Sequence, residues 1–115
     1  MNRFAHFLRA RTLYGVHSPF VYRLYTECLF ARVRGRGRSY GDVVWRLERY
    51  YGVQCSGGEM RTDDGLIRVV ERPHRDEGAW QAMVADGRWQ VTIDLYSVGL
   101  AVANPKLSKQ HFLLR

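Results

Sequence analysis

The fold of this chain is decided by two stretches whose side chains alternate in character, Trp89-Gln90-Val91-Thr92-Ile93-Asp94-Leu95 and Val98-Gly99-Leu100-Ala101-Val102. Apolar side chains recur at every second position, which is the period of a β-strand. Only Tyr96 and Ser97 separate the two stretches, so the pattern predicts an antiparallel hairpin. Asp94 falls among the polar positions of the first strand, where we expect a solvated side chain.

A strand and a helix are predicted immediately before this hairpin. Leu66–Glu71 is rich in branched apolar residues, as in a largely buried strand, and Pro73 ends it. Asp76–Asp86 has helical spacing, and a helix that crosses from one strand to the next makes the two strands parallel. The second hairpin strand, Val98–Ala103, can then lie between Leu66–Glu71 and the first hairpin strand, Trp89–Leu95. His111–Leu114 predicts a final strand.

The most regular helical pattern in the chain begins at Ser18 and Pro19. Serine is a preferred N-cap, and proline is favoured at the first helical position. We expect this helix to end near Val33, before a stretch that alternates arginine and glycine. Its apolar stripe consists of Val21, Leu24, Tyr25, Cys28 and Leu29.

Three shorter segments complete the predicted elements. Asn2–Leu13 has the spacing of a short amphipathic helix. Tyr40–Tyr51 predicts a helix that is capped by Ser39 and stopped by Gly52. Val53–Cys55 is interpreted as a short strand.

The length of 115 residues and the hydrophobic content of 46% indicate one globular domain, residues 1–115. A basic helical part, residues 1–38, leads into a helix plus a mixed sheet, residues 39–115. We therefore predict an α/β or α+β fold, with N-terminal helices and a small sheet of about three to five strands. No apolar run approaches the roughly 20 residues of a membrane-spanning helix, so we expect a cytoplasmic protein without a membrane partner. Cys28 and Cys55 lack metal-type or redox-type spacing and predict reduced thiols and no metal.

The excess positive charge lies entirely in residues 1–38, which contain eight arginines and a single acid, Glu27. Arg34, Arg36 and Arg38 alternate with glycines and predict a flexible cationic loop of the kind that follows phosphates. Nucleic-acid binding through this loop is therefore an alternative function. Against it, aromatic residues are not interleaved with these arginines in the sequence.

Three residues are weak candidates for catalysis. His17 precedes a helix N-cap, where a histidine could be a ligand or base but more often bonds the turn. His74 follows a strand, in the position where α/β proteins commonly hold ligands, and with Glu71 it could form an acid/base pair. No nucleophile or phosphate loop stands beside them in the sequence, so we assign no catalytic residue.

Tyr14–Val21 resembles the "HGxHSPFV" opening of a bacterial family of class I S-adenosylmethionine-dependent methyltransferases. The other end of the chain is similar to the tail of the same family at Ala79–Gln81, Val91–Tyr96, Gly99–Leu100 and Lys109–Arg115. The resemblance lies at both ends of the chain and implies the C-terminal end of a Rossmann-like methyltransferase sheet.

The middle of the chain departs from this family. A complete methyltransferase core demands on the order of 200 residues. The glycine-rich cofactor loop is replaced by Ser56–Glu59, and Glu71–His74 stands where similar enzymes have an Asp-Asp pair. The resemblance therefore implies a methyltransferase-like remnant without a cofactor site, which acts as a non-catalytic structural or interaction module.

Loss of the central strands leads us to expect a homodimer. Leu66–Glu71 would have an unprotected edge, and such an edge pairs readily with another chain. Exchange of the N-terminal helices is the second expected route. A further alternative is a methyltransferase whose site is rebuilt between two subunits.

Overall fold

The structure, a computed structural model, describes residues 18–114. The predicted helix Asn2–Leu13, the candidate residue His17 and the first part of the methyltransferase-like signature lie outside the described residues. Within residues 18–114, no helix has both the length and the apolar character needed to cross a membrane.

One mixed sheet contains the five strands of the described segment, β1 (Glu59–Thr62), β2 (Gly65–Glu71), β3 (Val91–Asp94), β4 (Val98–Ala103) and β5 (Gln110–Leu113). The order across the sheet is β1-β2-β4-β3-β5. Neighbouring strands are antiparallel, except that β3 and β5 run parallel. Strands β2 and β3 are thus parallel to each other with β4 between them. The predicted α/β fold with a small mixed sheet is confirmed.

Two helices pack against one face of the sheet. Helix α1 (Pro19–Leu24) continues as one π-helical turn (Tyr25–Leu29), and α2 spans Tyr40–Tyr51. The Ser18 hydroxyl accepts a hydrogen bond from the Val21 amide at 3.3 Å and caps α1, as its sequence position predicts. Buried side chains of both helices join those of the inner strands in one hydrophobic core, which includes Val21, Leu24, Leu29, Val43, Leu47, Ile67, Ile93 and Leu100.

Helix α3 (Glu77–Ala85) connects β2 to β3 and covers the opposite face of the sheet. Asp76 caps its N-terminus by accepting from the Ala79 amide at 3.1 Å. Trp80 lies directly over Gly99 of β4, where a Cβ atom would stand 2.7 Å from the indole ring. Only glycine allows α3 to approach β4 this closely.

Several sequence predictions differ from the structure. Val53–Cys55 is not a strand, because its Cys55 amide donates to the Glu48 carboxylate at 2.8 Å instead of to a neighbouring strand. The first helix ends at Leu29, four residues before the predicted Val33, because residues 30–39 form an irregular loop.

The predicted open edge at Leu66–Glu71 is covered in its first half. Strand β1 pairs with β2 from Glu59↔Arg68 to Thr62↔Gly65, so this part of β2 has a neighbouring strand on each side. The sequence pattern gave no strand at Glu59–Thr62, because three of its four residues are polar. The strand-edge route to a dimer through β2 is therefore restricted to the last residues of the strand.

Candidate functional site

Glu71 and His74, the pair that the sequence offered as acid and base, have different surroundings in the structure. Glu71 is exposed at the end of β2. The His74 ring instead lies between two other carboxylates, with Nδ1 at 2.7 Å from Glu77 Oε1 and Nε2 at 2.5 Å from Asp94 Oδ2. The short helical turn after β2 directs His74 toward β3, and these contacts lend no support to a Glu71–His74 acid/base pair.

Asp94 is buried, with an exposed fraction of 1%, and the expectation of a solvated side chain is wrong. Its Oδ1 atom accepts from the Tyr96 amide at 2.8 Å, which supports the left-handed Tyr96 turn at φ 70°. Its Oδ2 atom faces His74. A buried carboxylate needs such partners, since removing it from water without compensating hydrogen bonds is strongly unfavourable.

His74, Glu77 and Asp94 form a cluster that we call the His74 clamp. Its two carboxylates engage both nitrogens of the imidazole. A general base needs a nitrogen that can reach the substrate. His74 therefore ties the turn before α3 to β3, and Tyr96 stacks on its ring with centroids 5.6 Å apart.

The arginine loop, which we define as residues 30–39, contains Arg34, Arg36 and Arg38, and all three side chains are exposed. The guanidinium of Arg36 lies 4.3 Å from the Trp45 ring centroid, and that of Arg38 lies 4.0 Å from the Phe30 centroid. Aromatic partners absent between the arginines in the sequence are thus provided in space by Trp45 of α2 and by Phe30 at the start of the loop.

Arg46 holds the arginine loop against the helices. Its guanidinium and Nε atoms donate to four backbone carbonyls, at distances of 2.5–3.2 Å, namely those of Cys28, Ala31, Arg36 and Gly37. Two of these carbonyls lie at or beyond the C-terminal end of the first helix, where the helix dipole favours a cation. The loop is therefore anchored through its backbone while its own arginines point outward.

Sequence reasoning missed Arg46, although a signal was present. Arg46 stands beside Val43 and Leu47 on the apolar side of α2, at helical spacing. An arginine at such a position is buried, here to 6% exposure, and must find acceptors. The acceptors themselves belong to a loop whose path the sequence does not reveal.

An open groove of about 320 Å³ lies between the π-helical turn and α2, next to the arginine loop. It is lined by Glu27, Cys28, Ala31, Val33, Trp45, Arg46, Arg49 and Tyr50. Arg49 lies 5.2 Å from the Trp45 centroid, and the Tyr50 hydroxyl donates to Glu27 at 2.6 Å. The groove thus combines an aromatic wall with two guanidinium groups and one carboxylate.

Neither thiol has the environment of a nucleophile. Burial raises the pKa of the Cys28 thiol to about 12. Burial also raises the pKa of Cys55, and the Glu48 carboxylate raises it further. Among residues 18–114, no group of three or more His, Cys, Asp or Glu side chains is arranged to hold a metal ion.

The fold and these side chains define a small α/β domain with two distinct polar features, the His74 clamp and the groove beside the arginine loop. The chain matches no protein-family model, no curated protein and no solved structure.

Proposed function

We propose that this chain is a non-catalytic interaction module built on the closing part of a methyltransferase-like sheet. The strand order carries the proposal. From β2 the chain crosses through α3 to β3 and returns as β4, which inserts between β2 and β3. This is the order that the methyltransferase resemblance implies for the end of the sheet.

The other side of β2 supports the loss of a cofactor site. Strand β1 is antiparallel to β2 and short, whereas the resemblance would place a further parallel strand of the methyltransferase core there. Cofactors of such sheets bind outside the carboxyl ends of parallel strands. In the described residues, a hairpin occupies that side of the sheet.

Equilibrium dialysis against tritiated S-adenosylmethionine tests the non-catalytic proposal. We expect no retention of the cofactor at micromolar concentrations. Retention at one molecule per chain or per two chains, displaced by S-adenosylhomocysteine, would overturn the proposal and favour the methyltransferase with a site rebuilt between subunits.

The homodimer stays a prediction. Strand β1 covers the first half of the Leu66–Glu71 edge, and the exchange of N-terminal helices is the second expected route. Static light scattering over a range of concentrations should give twice the 13.4 kDa chain mass. A monomer mass at the highest concentration would contradict it.

A further inference from the structure

We infer that the groove between the π-helical turn and α2 binds single-stranded nucleic acid, with a base against the Trp45 wall and phosphates on the surrounding arginines. This inference rests on the proposed interaction function and names the partner of the module.

The charge around the groove favours an anionic partner. Residues 27–50 contain six arginines and only three acids. Two of these acids are already engaged, since Asp42 accepts from the Ser39 hydroxyl and faces Arg36 at 3.7 Å, and Glu27 accepts from Tyr50. Phosphates gain most where clustered arginines face solvent, as Arg34, Arg36 and Arg38 do.

Arg46 adds a positive charge beneath this surface. It is 6% exposed and, among residues 18–114, forms no ion pair with a carboxylate. Backbone carbonyls satisfy its hydrogen bonds but carry only partial charges. Its net charge therefore contributes to the field over the groove, in a medium that screens it less than water does.

The Trp45 wall favours a planar partner. Arg36 and Arg49 both lie within about 5 Å of its ring centroid, at 4.3 and 5.2 Å, and Trp45 itself is half-buried. Nucleobases stack on tryptophan rings and on guanidinium planes alike. A groove of about 320 Å³ is at the small end of ligand sites and suits one planar group, not a folded protein surface.

The same geometry favours a single strand over a duplex. A base enters such a groove only if it is unstacked, and single strands present unstacked bases at little cost. A duplex would meet only the exposed arginines and lose the contact with the Trp45 wall. Single-strand preference therefore distinguishes this site from a merely cationic surface.

Filter binding with radiolabelled 12-nucleotide oligo(U), oligo(dT) and a 12-base-pair duplex tests the inference at 50 and 200 mM salt. We expect both single strands to bind more tightly than the duplex. With about three phosphates contacted, the fourfold salt increase should weaken single-strand binding about tenfold to twentyfold. Stronger binding of oligo(U) than of oligo(dT) would assign the site to RNA, and the reverse to DNA.

Variants place the interaction in the groove. Trp45→Ala should weaken single-strand binding about tenfold, because a base loses its stacking partner, whereas Trp45→Phe should retain most of it. Arg49→Gln should weaken binding several-fold. Arg88→Gln is the matched control, since Arg88 also lies over a tryptophan, 5.0 Å from the Trp89 centroid, but at the turn after α3. It should bind as the unmodified chain does.

Two results would overturn the inference. The first is equal binding of duplex and single strands that Trp45→Ala leaves unchanged, provided that circular dichroism shows this variant folded. The second is no binding at 50 mM salt. Either result leaves the proposed module intact if S-adenosylmethionine is not retained, whereas retention of that cofactor defeats the proposed function by itself.

Discussion

Arg46 is the residue on which the path of the arginine loop depends. Four carbonyls around one guanidinium use the planar, forked geometry of arginine. Lysine has three donors on a single atom and cannot reach carbonyls on both sides of the fork.

We expect Arg46→Lys to lower the free energy of unfolding by about 1–3 kcal/mol, because at least one buried carbonyl loses its donor. Urea unfolding followed by circular dichroism measures the change. Arg49→Lys, on the exposed side of α2, is the control and should change stability by about 0.5 kcal/mol or less. Equal urea midpoints for both variants would show that the forked guanidinium of Arg46 is not needed to satisfy these carbonyls.

Asp94 carries the second residue-scale prediction. Asp94→Asn keeps the shape of the side chain but removes the charge that faces His74 and presents one amide hydrogen-bond donor in place of an acceptor. We expect a loss of about 1–3 kcal/mol in urea unfolding. Glu71→Gln at the exposed end of β2 should be nearly neutral, and an equal loss for both would contradict the clamp.

The two cysteines should differ in reactivity. The thiolate is the reacting form, and Cys28 is 3% exposed with its pKa raised to about 12, so it is almost wholly protonated at pH 8. Cys55 is half-buried and should react slowly. Mass spectrometry after iodoacetamide treatment should show one label on the folded chain and two in urea, whereas prompt double labelling of the folded chain would contradict the packing of Cys28.

At the scale of elements, the packing of α3 on the sheet depends on one close contact with β4. Gly99→Ala would place a Cβ atom 2.7 and 2.8 Å from two carbons of the Trp80 ring and 3.3 Å from Pro73. Trp80 is buried and cannot swing aside, so we expect a loss of about 1–3 kcal/mol from overpacking.

Gly87→Ala provides the matched control for this contact. Nothing lies within 4 Å of a Cβ atom at Gly87, and its backbone is not left-handed. Urea unfolding should therefore show a change near zero for Gly87→Ala, and a neutral Gly99→Ala would contradict the tight packing of α3 on β4.

Most elements with regular periodicity were predictable. Helix Tyr40–Tyr51 and strand Val98–Ala103 have the predicted bounds, and the hairpin joint at Tyr96 and Ser97 is where the pattern placed it. Strand β1 was missed because an edge strand buries few side chains and so has little apolar alternation, here only Met60. Apolar periodicity in a sequence reflects burial, so a strand with few buried side chains shows little apolar periodicity.

The candidate site was less predictable because its contacts span long distances in the chain. His74 and Asp94 are 20 residues apart, and neither position reveals that the turn after β2 brings them together. Arg46 reaches carbonyls between 9 and 18 residues away. Only the placement of Arg46 on the apolar side of α2 was visible in the sequence.

At the scale of the whole molecule, the strand order predicts where the sheet is most resistant to opening. Strands β2, β4 and β3 are interior in the described sheet, and β1 and β5 form its two edges. Interior strands open only when both neighbours separate.

Native-state hydrogen exchange should therefore find the slowest amides in β2, β4 and β3, and exchange in β1 and β5 at least about tenfold faster, equivalent to about 1.4 kcal/mol. Mass spectrometry with peptide-level resolution separates these strands. Amides of β2 that exchange as fast as those of β1 would indicate that β2 is an open edge after all.

Two of the three tryptophans lie in the core and one lies in the groove, so the intrinsic tryptophan fluorescence of the chain can report on both regions. Trp80 and Trp89 are each 2% exposed, whereas Trp45 is half-buried beside two guanidinium groups. Iodide should quench the fluorescence of Trp45 and leave that of the other two almost unchanged. Fluorescence measured on one sample can then follow ligand binding in the groove through Trp45 and unfolding of the core through Trp80 and Trp89.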